Sequence, residues 1–171
     1  MVRRLTEKPF LIRRNVAESS AGVFTEVAIQ LPIAPVLGRG TLQAVELMTM
    51  ISDLRAPDIE DDQNNSVSAQ LTKDSQTGSL QVDSDQVLWN RVIEVNNEFT
   101  TSGSSSVLHE AVKTDDLTDF DGNGSIVAEQ TIHLGIVGSG NAATRTVRIK
   151  MLAHLVALDA DDAIILLLEA D

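Results

Sequence analysis

Apolar and polar residues alternate with period two over most of this chain, and no other feature narrows the fold as much. A strand points successive side chains to opposite faces, so strict alternation marks a half-buried β-strand. Val23, Thr25, Val27, Ile29 and Leu31 fall on one side, with Glu26 and Gln30 on the other; Pro32 and Pro35 end that run. Val45, Leu47, Thr49 and Ile51 mark a second strand, and Val67, Ala69 and Leu71 a third. Trp89, Arg91, Ile93 and Val95 alternate with Leu88, Asn90, Val92 and Glu94. Residues 107–112, 126–137 and 146–155 are the remaining strand candidates. In the last of these Val147, Ile149, Met151 and Ala153 share a face, and Thr146, Arg148 and Lys150 take the other.

Turn formers separate the runs. They include Gly38-Arg39-Gly40, the polar stretch 61–65, Ser75-Gln76-Thr77-Gly78, Thr101-Ser102-Gly103-Ser104 and Asp121-Gly122-Asn123-Gly124. Strands this short and loops this frequent predict an all-β chain, an antiparallel β-sandwich of the jelly-roll type with about eight strands. The C-terminus departs from the pattern. Asp159-Ala160-Asp161-Asp162 places acids where a helix N-terminus favours them, and the apolar run Ala163 to Leu168 follows. Periodicity leaves helix and buried strand open there; a short C-terminal helix is the expectation.

The totals exclude several kinds of chemistry. A chain of 171 residues suits one domain. It has no cysteine, so thiol catalysis and zinc–thiolate sites are ruled out. One Trp, four Phe and no Tyr leave few aromatic platforms for sugars or nucleobases. No signal peptide is expected, and the longest apolar run is far shorter than a membrane-spanning helix needs. The net charge of −12 is unevenly spread. Residues 1–14 hold Arg3, Arg4, Lys8, Arg13 and Arg14 against one acid, Glu7, for a net of +4. The rest holds 8 basic and 24 acidic side chains, for a net of −16. The expected organisation is a basic N-terminal arm, 1–20, and a single domain, 21–171. Such an arm suits an anionic partner, either nucleic acid or a lipid headgroup surface.

Three patches resemble functional motifs. Gly138-Ser139-Gly140-Asn141-Ala142-Ala143 reads as G-x-G-x-x-A, with Asp159 about 20 residues on. A dinucleotide site would need a helix after the glycines. Thr144 to Lys150 is instead β-branched and alternating, so a glycine-rich hairpin is expected. Asp119, Asp121 and Asn123, followed by Gly124 and an apolar Ile126, match the first half of a calcium loop. Gln130 stands where the bidentate Glu belongs, and a solvated turn is the expected alternative. His109, His133 and His154 lie far apart without metal-ligand spacing, and no G-x-S-x-G elbow accompanies them. No catalytic centre, cofactor or small-molecule substrate is expected, apart from the structural calcium that Asp119, Asp121 and Asn123 would hold.

A basic stretch up to Arg14, about eight strands with polar loops, and Thr144-Arg145-Thr146-Val147 leading into a long strand and then Asp162 to Leu168 make a recognisable order. The chain in this respect resembles single jelly-roll viral capsid proteins. The nearest resemblance is to the small major capsid proteins of tailless, membrane-containing icosahedral double-stranded DNA viruses. It spans the chain as a pattern and rests on no specific motif. It implies a structural protein of the virion that assembles with copies of itself, and with a second capsid protein, through strand edges, loops and the arm. A β-sandwich binding or adhesion module stabilised by calcium is one alternative. A nucleotide-binding enzyme using Gly138 to Ala143 is another.

Overall fold

The computed structural model describes residues 3–34, 42–59, 64–81, 83–96, 112–119 and 121–159. Among them are ten strands and no helix: β1 (Arg3–Arg4), β2 (Phe10–Ala17), β3 (Thr25–Gln30), β4 (Leu42–Leu54), β5 (Asn64–Thr72), β6 (Val87–Asn96), β7 (Val112–Asp116), β8 (Ser125–Val127), β9 (Thr131–Ser139) and β10 (Thr146–Leu158). In one sheet β10 pairs with β1 and β2 on one side and with β4 on the other; β4 then pairs with β7 and β8. The other sheet has the order β3-β9-β5-β6. Every pairing is antiparallel. The first half of the chain thus pairs with the second in nested fashion, β2 with β10, β3 with β9, β4 with β7 and β8, and β5 with β6. That is a long two-ply ribbon rolled into two sheets, the jelly roll expected from the sequence.

The core lies between the sheets. Leu47, Met50, Val147 and Met151 from the first pack against Val67, Leu71, Leu134 and Ile136 from the second, all fully buried. Two polar contacts also cross from β6 to the first sheet. The Trp89 indole N–H donates to Asp115 Oδ2 at 2.8 Å, and buried Arg91 donates to Ser52 Oγ at 3.0 Å and to its carbonyl oxygen at 3.2 Å. Trp89 and Arg91 share a face, as alternation predicts.

The structure corrects three readings. First, β4 does not keep one face. Leu152 pairs with Thr49 and Ala153 with Leu47, which leaves Met48 as an extra residue in a bulge. Beyond it Met50, Ser52 and Leu54 turn inward, while Thr49 and Ile51 change sides. Second, 126–137 is two strands, because the chain crosses between sheets after Val127. Third, residues 10–17 of the stretch expected as an arm form a strand of the sandwich. β2 pairs with β10 over its whole length, Val16 is buried, and Phe10 and Ile12 pack on the core. Their alternation supplies the reason, and the charges at Arg13 and Arg14 mask it in the sequence. The Asp121-to-Gly124 turn, expected from the sequence, separates short β-elements of one sheet, Thr118 bridging to Gly124 ahead of β8. The strand expected at 107–112 is described only from Val112, at the start of β7. The C-terminal helix expected after Asp162 lies outside the described residues.

Burial predicts the mutational map of the second sheet. Leu134→Ala is expected to cost about 2–5 kcal/mol in urea unfolding, because Leu134 is fully buried between the sheets. Val92→Ala, on the half-exposed outer face of β6, should stay within about 0.5 kcal/mol of wild type.

Candidate functional site

Antiparallel register sets which side chains share a face. On β10 the residues Arg148, Lys150, Leu152 and His154 point away from the core. Lys150 pairs directly with Arg13 on β2 and with Ile51 on β4; Arg148 pairs with Asn15 and Asp53. Asp53 in turn pairs with Val112 on β7. These strands form the walls of a groove of about 510 Å³ across the outer face of the first sheet. Arg13, Arg14, Arg148 and Lys150 line it, and Asp53 is the single carboxylate among its lining residues. Asp53 takes a 3.3 Å ion pair from Arg148. No described carboxylate pairs with Arg13, Arg14 or Lys150. On a chain of net charge −12 this is a concentrated cationic surface.

The five basic residues of the N-terminal stretch therefore divide. Arg13 and Arg14 reach the groove. Arg4 does not; it forms a two-point ion pair with buried Glu46, Nε to Oε2 at 2.7 Å and Nη2 to Oε1 at 2.9 Å. The Gly124 N–H donates to the same carboxylate at 3.0 Å. Arg4 is thus structural, and the Arg4 hydrogen bonds hold the Glu46 carboxyl below its ordinary range. Arg3 sits beside it on β1, opposite Ala157, and Lys8 precedes β2; neither lines the groove. Arg148 and Lys150 are what sequence reasoning missed. Their alternation was legible, but the register that sets them beside Arg13 comes from residues more than a hundred positions away.

The glycine loop is the expected hairpin between β9 and β10, with Gly140 at a φ of 73°. Two of its amides already donate to carboxylates, Gly138 to Glu18 and Ala142 to Asp58 at 2.9 Å. The buried Glu18 carboxylate accepts the Gly138 N–H at 2.7 Å, the Gly22 N–H at 3.1 Å and the Arg145 N–H at 2.7 Å. Arg145 is fully buried and pairs with Asp58, while its Nη1 donates to the Ala56 carbonyl at 2.9 Å. The Arg145 hydrogen bond comes first among the causes that hold Asp58 below its ordinary value. Asn141 closes the knot: its oxygen accepts the Asp58 N–H at 2.8 Å and its nitrogen donates to the Ser66 carbonyl at 2.8 Å.

At the candidate calcium turn, Asp119 Oδ1 accepts the backbone N–H groups of Asp121 at 2.9 Å and Asn123 at 2.8 Å. Asn123 turns its amide nitrogen, not its oxygen, toward Asp119 Oδ2 at 3.2 Å. These bonds, the Asn123 backbone N–H foremost and its side-chain amide next, hold Asp119 below its ordinary value. Among the described residues no three His, Asp or Glu side chains converge as metal ligands. His154 meets the Thr6 carbonyl at 3.1 Å on β10, whereas His133 stands on β9 in the other sheet beside Glu26; His109 lies outside the described residues.

No protein-family model matches the chain, and no curated protein does. Solved structures share its fold. VP1 of Trichodysplasia spinulosa-associated polyomavirus, in complex with GM1 oligosaccharide, matches with a TM-score of 0.54 at 9% identity, covering 92% of this chain and 98% of that one. Merkel cell polyomavirus VP1 in complex with disialyllactose matches with a TM-score of 0.54 at 8% identity, with the same two coverages. The likeness is one of fold.

Two stability predictions follow from these paired carboxylates. Glu18→Gln places an NH2 group against backbone N–H donors and is expected to cost about 1–3 kcal/mol in chemical unfolding. Glu46 and Asp58 both have lowered folded-state values, so the unfolded chain binds more protons in acid. Their stabilisation is present above the unfolded values, near about pH 4, and is lost as pH falls through the folded ones. Urea midpoints should drop on acidification below about pH 4, and less steeply in the double variant Glu46→Gln/Asp58→Asn.

Proposed function

We propose that this chain is a structural shell protein of a virion, located in the capsid, whose work is done by surface complementarity between copies rather than by chemistry. The observation that carries the reading is the rolled-ribbon fold, which matches a viral VP1 over 92% of this chain. The two sheets end in β2 and β7, and in β3 and β6. Among the described residues nothing pairs with the far side of these strands, and such edges offer backbone donors and acceptors to a neighbouring subunit. Within this reading the finer assignment is to the small major capsid proteins of tailless, membrane-containing double-stranded DNA viruses. A second capsid protein, and contact of the basic N-terminal residues with lipid or genome, belong to it too.

Removing residues 1–14 is a poor test of assembly. It deletes β1, most of β2 and the partner of buried Glu46, so folding fails along with any contact. The direct test is the mass of the intact protein, by size-exclusion chromatography with light scattering and negative-stain microscopy. Closed or ring-like particles of many copies are expected. A stable monomer at every salt and protein concentration overturns the reading. If its melting temperature also rises with Ca²⁺, the binding-module alternative at Asp119, Asp121 and Asn123 takes its place.

A further inference from the structure

The outer face of the first sheet carries a conflict that the described residues do not resolve. Arg13 and Lys150 are direct cross-strand partners, so their Cβ atoms sit about 5 Å apart on one face. Like charges placed this way repel. Arg148 follows on the same face about 7 Å along β10, and its one acid, Asp53, is itself partly exposed. Neither Arg13 nor Lys150 has a described carboxylate partner. An external anion would remove the conflict.

The neighbours on that face indicate which anion. Leu11 pairs directly with Leu152, in the row beside Arg13 and Lys150. Leu11 is 42% exposed, Leu152 36% and Val112 56%. Ile51 lines the groove between them. Cations with aliphatic side chains interleaved match a headgroup layer above an acyl boundary. They match a hydrated phosphodiester backbone poorly, since it offers no apolar surface and is read by Arg and Lys with polar groups. An acidic edge of a second copy fits less well. Asp116 and Asp119, the exposed acids that follow along β7 and its turn, already accept hydrogen bonds from their own loops.

We propose that this face, Arg13, Arg148 and Lys150 with Leu11, Leu152 and Val112, docks on an anionic lipid bilayer. The inference rests on the shell reading only in treating the face as a contact surface. It is therefore tested on dispersed protein, whether or not shells form.

The experiment is flotation of the full chain with phosphatidylcholine vesicles, with and without phosphatidylglycerol, beside a duplex-DNA binding assay. Wild type should float with the anionic vesicles only, and release as salt shortens the screening length. Arg13→Gln/Lys150→Gln should lower partitioning about 25-fold, at about fivefold per charge. Its melting temperature should equal or exceed that of wild type, because repulsion is relieved. Leu11→Ser/Leu152→Ser, two exposed positions, should weaken vesicle binding while leaving any DNA binding unchanged. Wild-type partitioning by either folded variant overturns the proposal. So does equal flotation with neutral vesicles, or retention by DNA in preference to anionic vesicles. Particles that form without lipid binding would leave the shell reading standing and sink this one.

Discussion

Strand β10 must find hydrogen-bond partners on both sides. Thirteen residues long, it is paired with residues 3–4 and 10–17 on one side and 42–54 on the other. Its inward residues Val147, Ile149, Met151 and Ala153 form the floor of the core. Over residues 146–153 it is buried on one face and paired on both edges, which tolerates no slip, since one residue of shift would exchange its buried and outward faces. The bulge at Met48 is the adjustment that lets β4 follow it. Once β10 and β4 are aligned, the rolled ribbon leaves β9 one place to go, across the sandwich beside β3 and β5. The outer face of the sheet is set by the same register.

The two ends of the first sheet are closed by buried carboxylates, and their roles are parallel. Glu46 joins β4 to β1 through Arg4 and to the β8 turn through Gly124. Glu18 joins the end of β2 to the β9–β10 hairpin. An unpaired buried carboxylate would cost several kcal/mol, so each is tolerated only with its full set of donors. The requirement is mutual. The donors include backbone amides that no strand uses, at Gly138 and Gly124, and those amides would otherwise be buried without a partner. The glycine loop and the basic N-terminus thus do structural work that their sequence patterns suggest in other terms.

The sandwich was legible because period two survives in β3, β5, β6 and β10, where one face meets the core and the other meets water. It failed where a local feature broke the period. Met48 resets β4, and the crossover after Val127 divides what reads as one run. The N-terminal stretch failed for a different reason. Phe10, Ile12 and Val16 keep the period, but on an edge strand the outward and rim positions are free to hold Arg13 and Arg14, and charge dominates the reading. The groove was half legible. Its β2 residues stood out as basic, whereas Arg148 and Lys150 read as the polar side of an ordinary strand. Only pairing across more than a hundred residues makes them one site, and no local pattern encodes that pairing.

The charges on β2 serve one purpose by themselves. Arg and Lys on an edge strand discourage indiscriminate edge-to-edge pairing, so Arg13 and Arg14 have a protective role in any sandwich of this kind. Protection explains a charge on the edge, but it does not explain Lys150, which stands on a strand paired on both sides. A cation there gains nothing for the edge and repels Arg13 directly. Nor does solubility require it, since the chain is already at −12 and a further positive charge moves it toward neutrality. The part of the cationic face that edge protection cannot account for is therefore the part centred on β10. That is why the decisive substitution pairs Lys150 with Arg13 rather than Arg13 with Arg14.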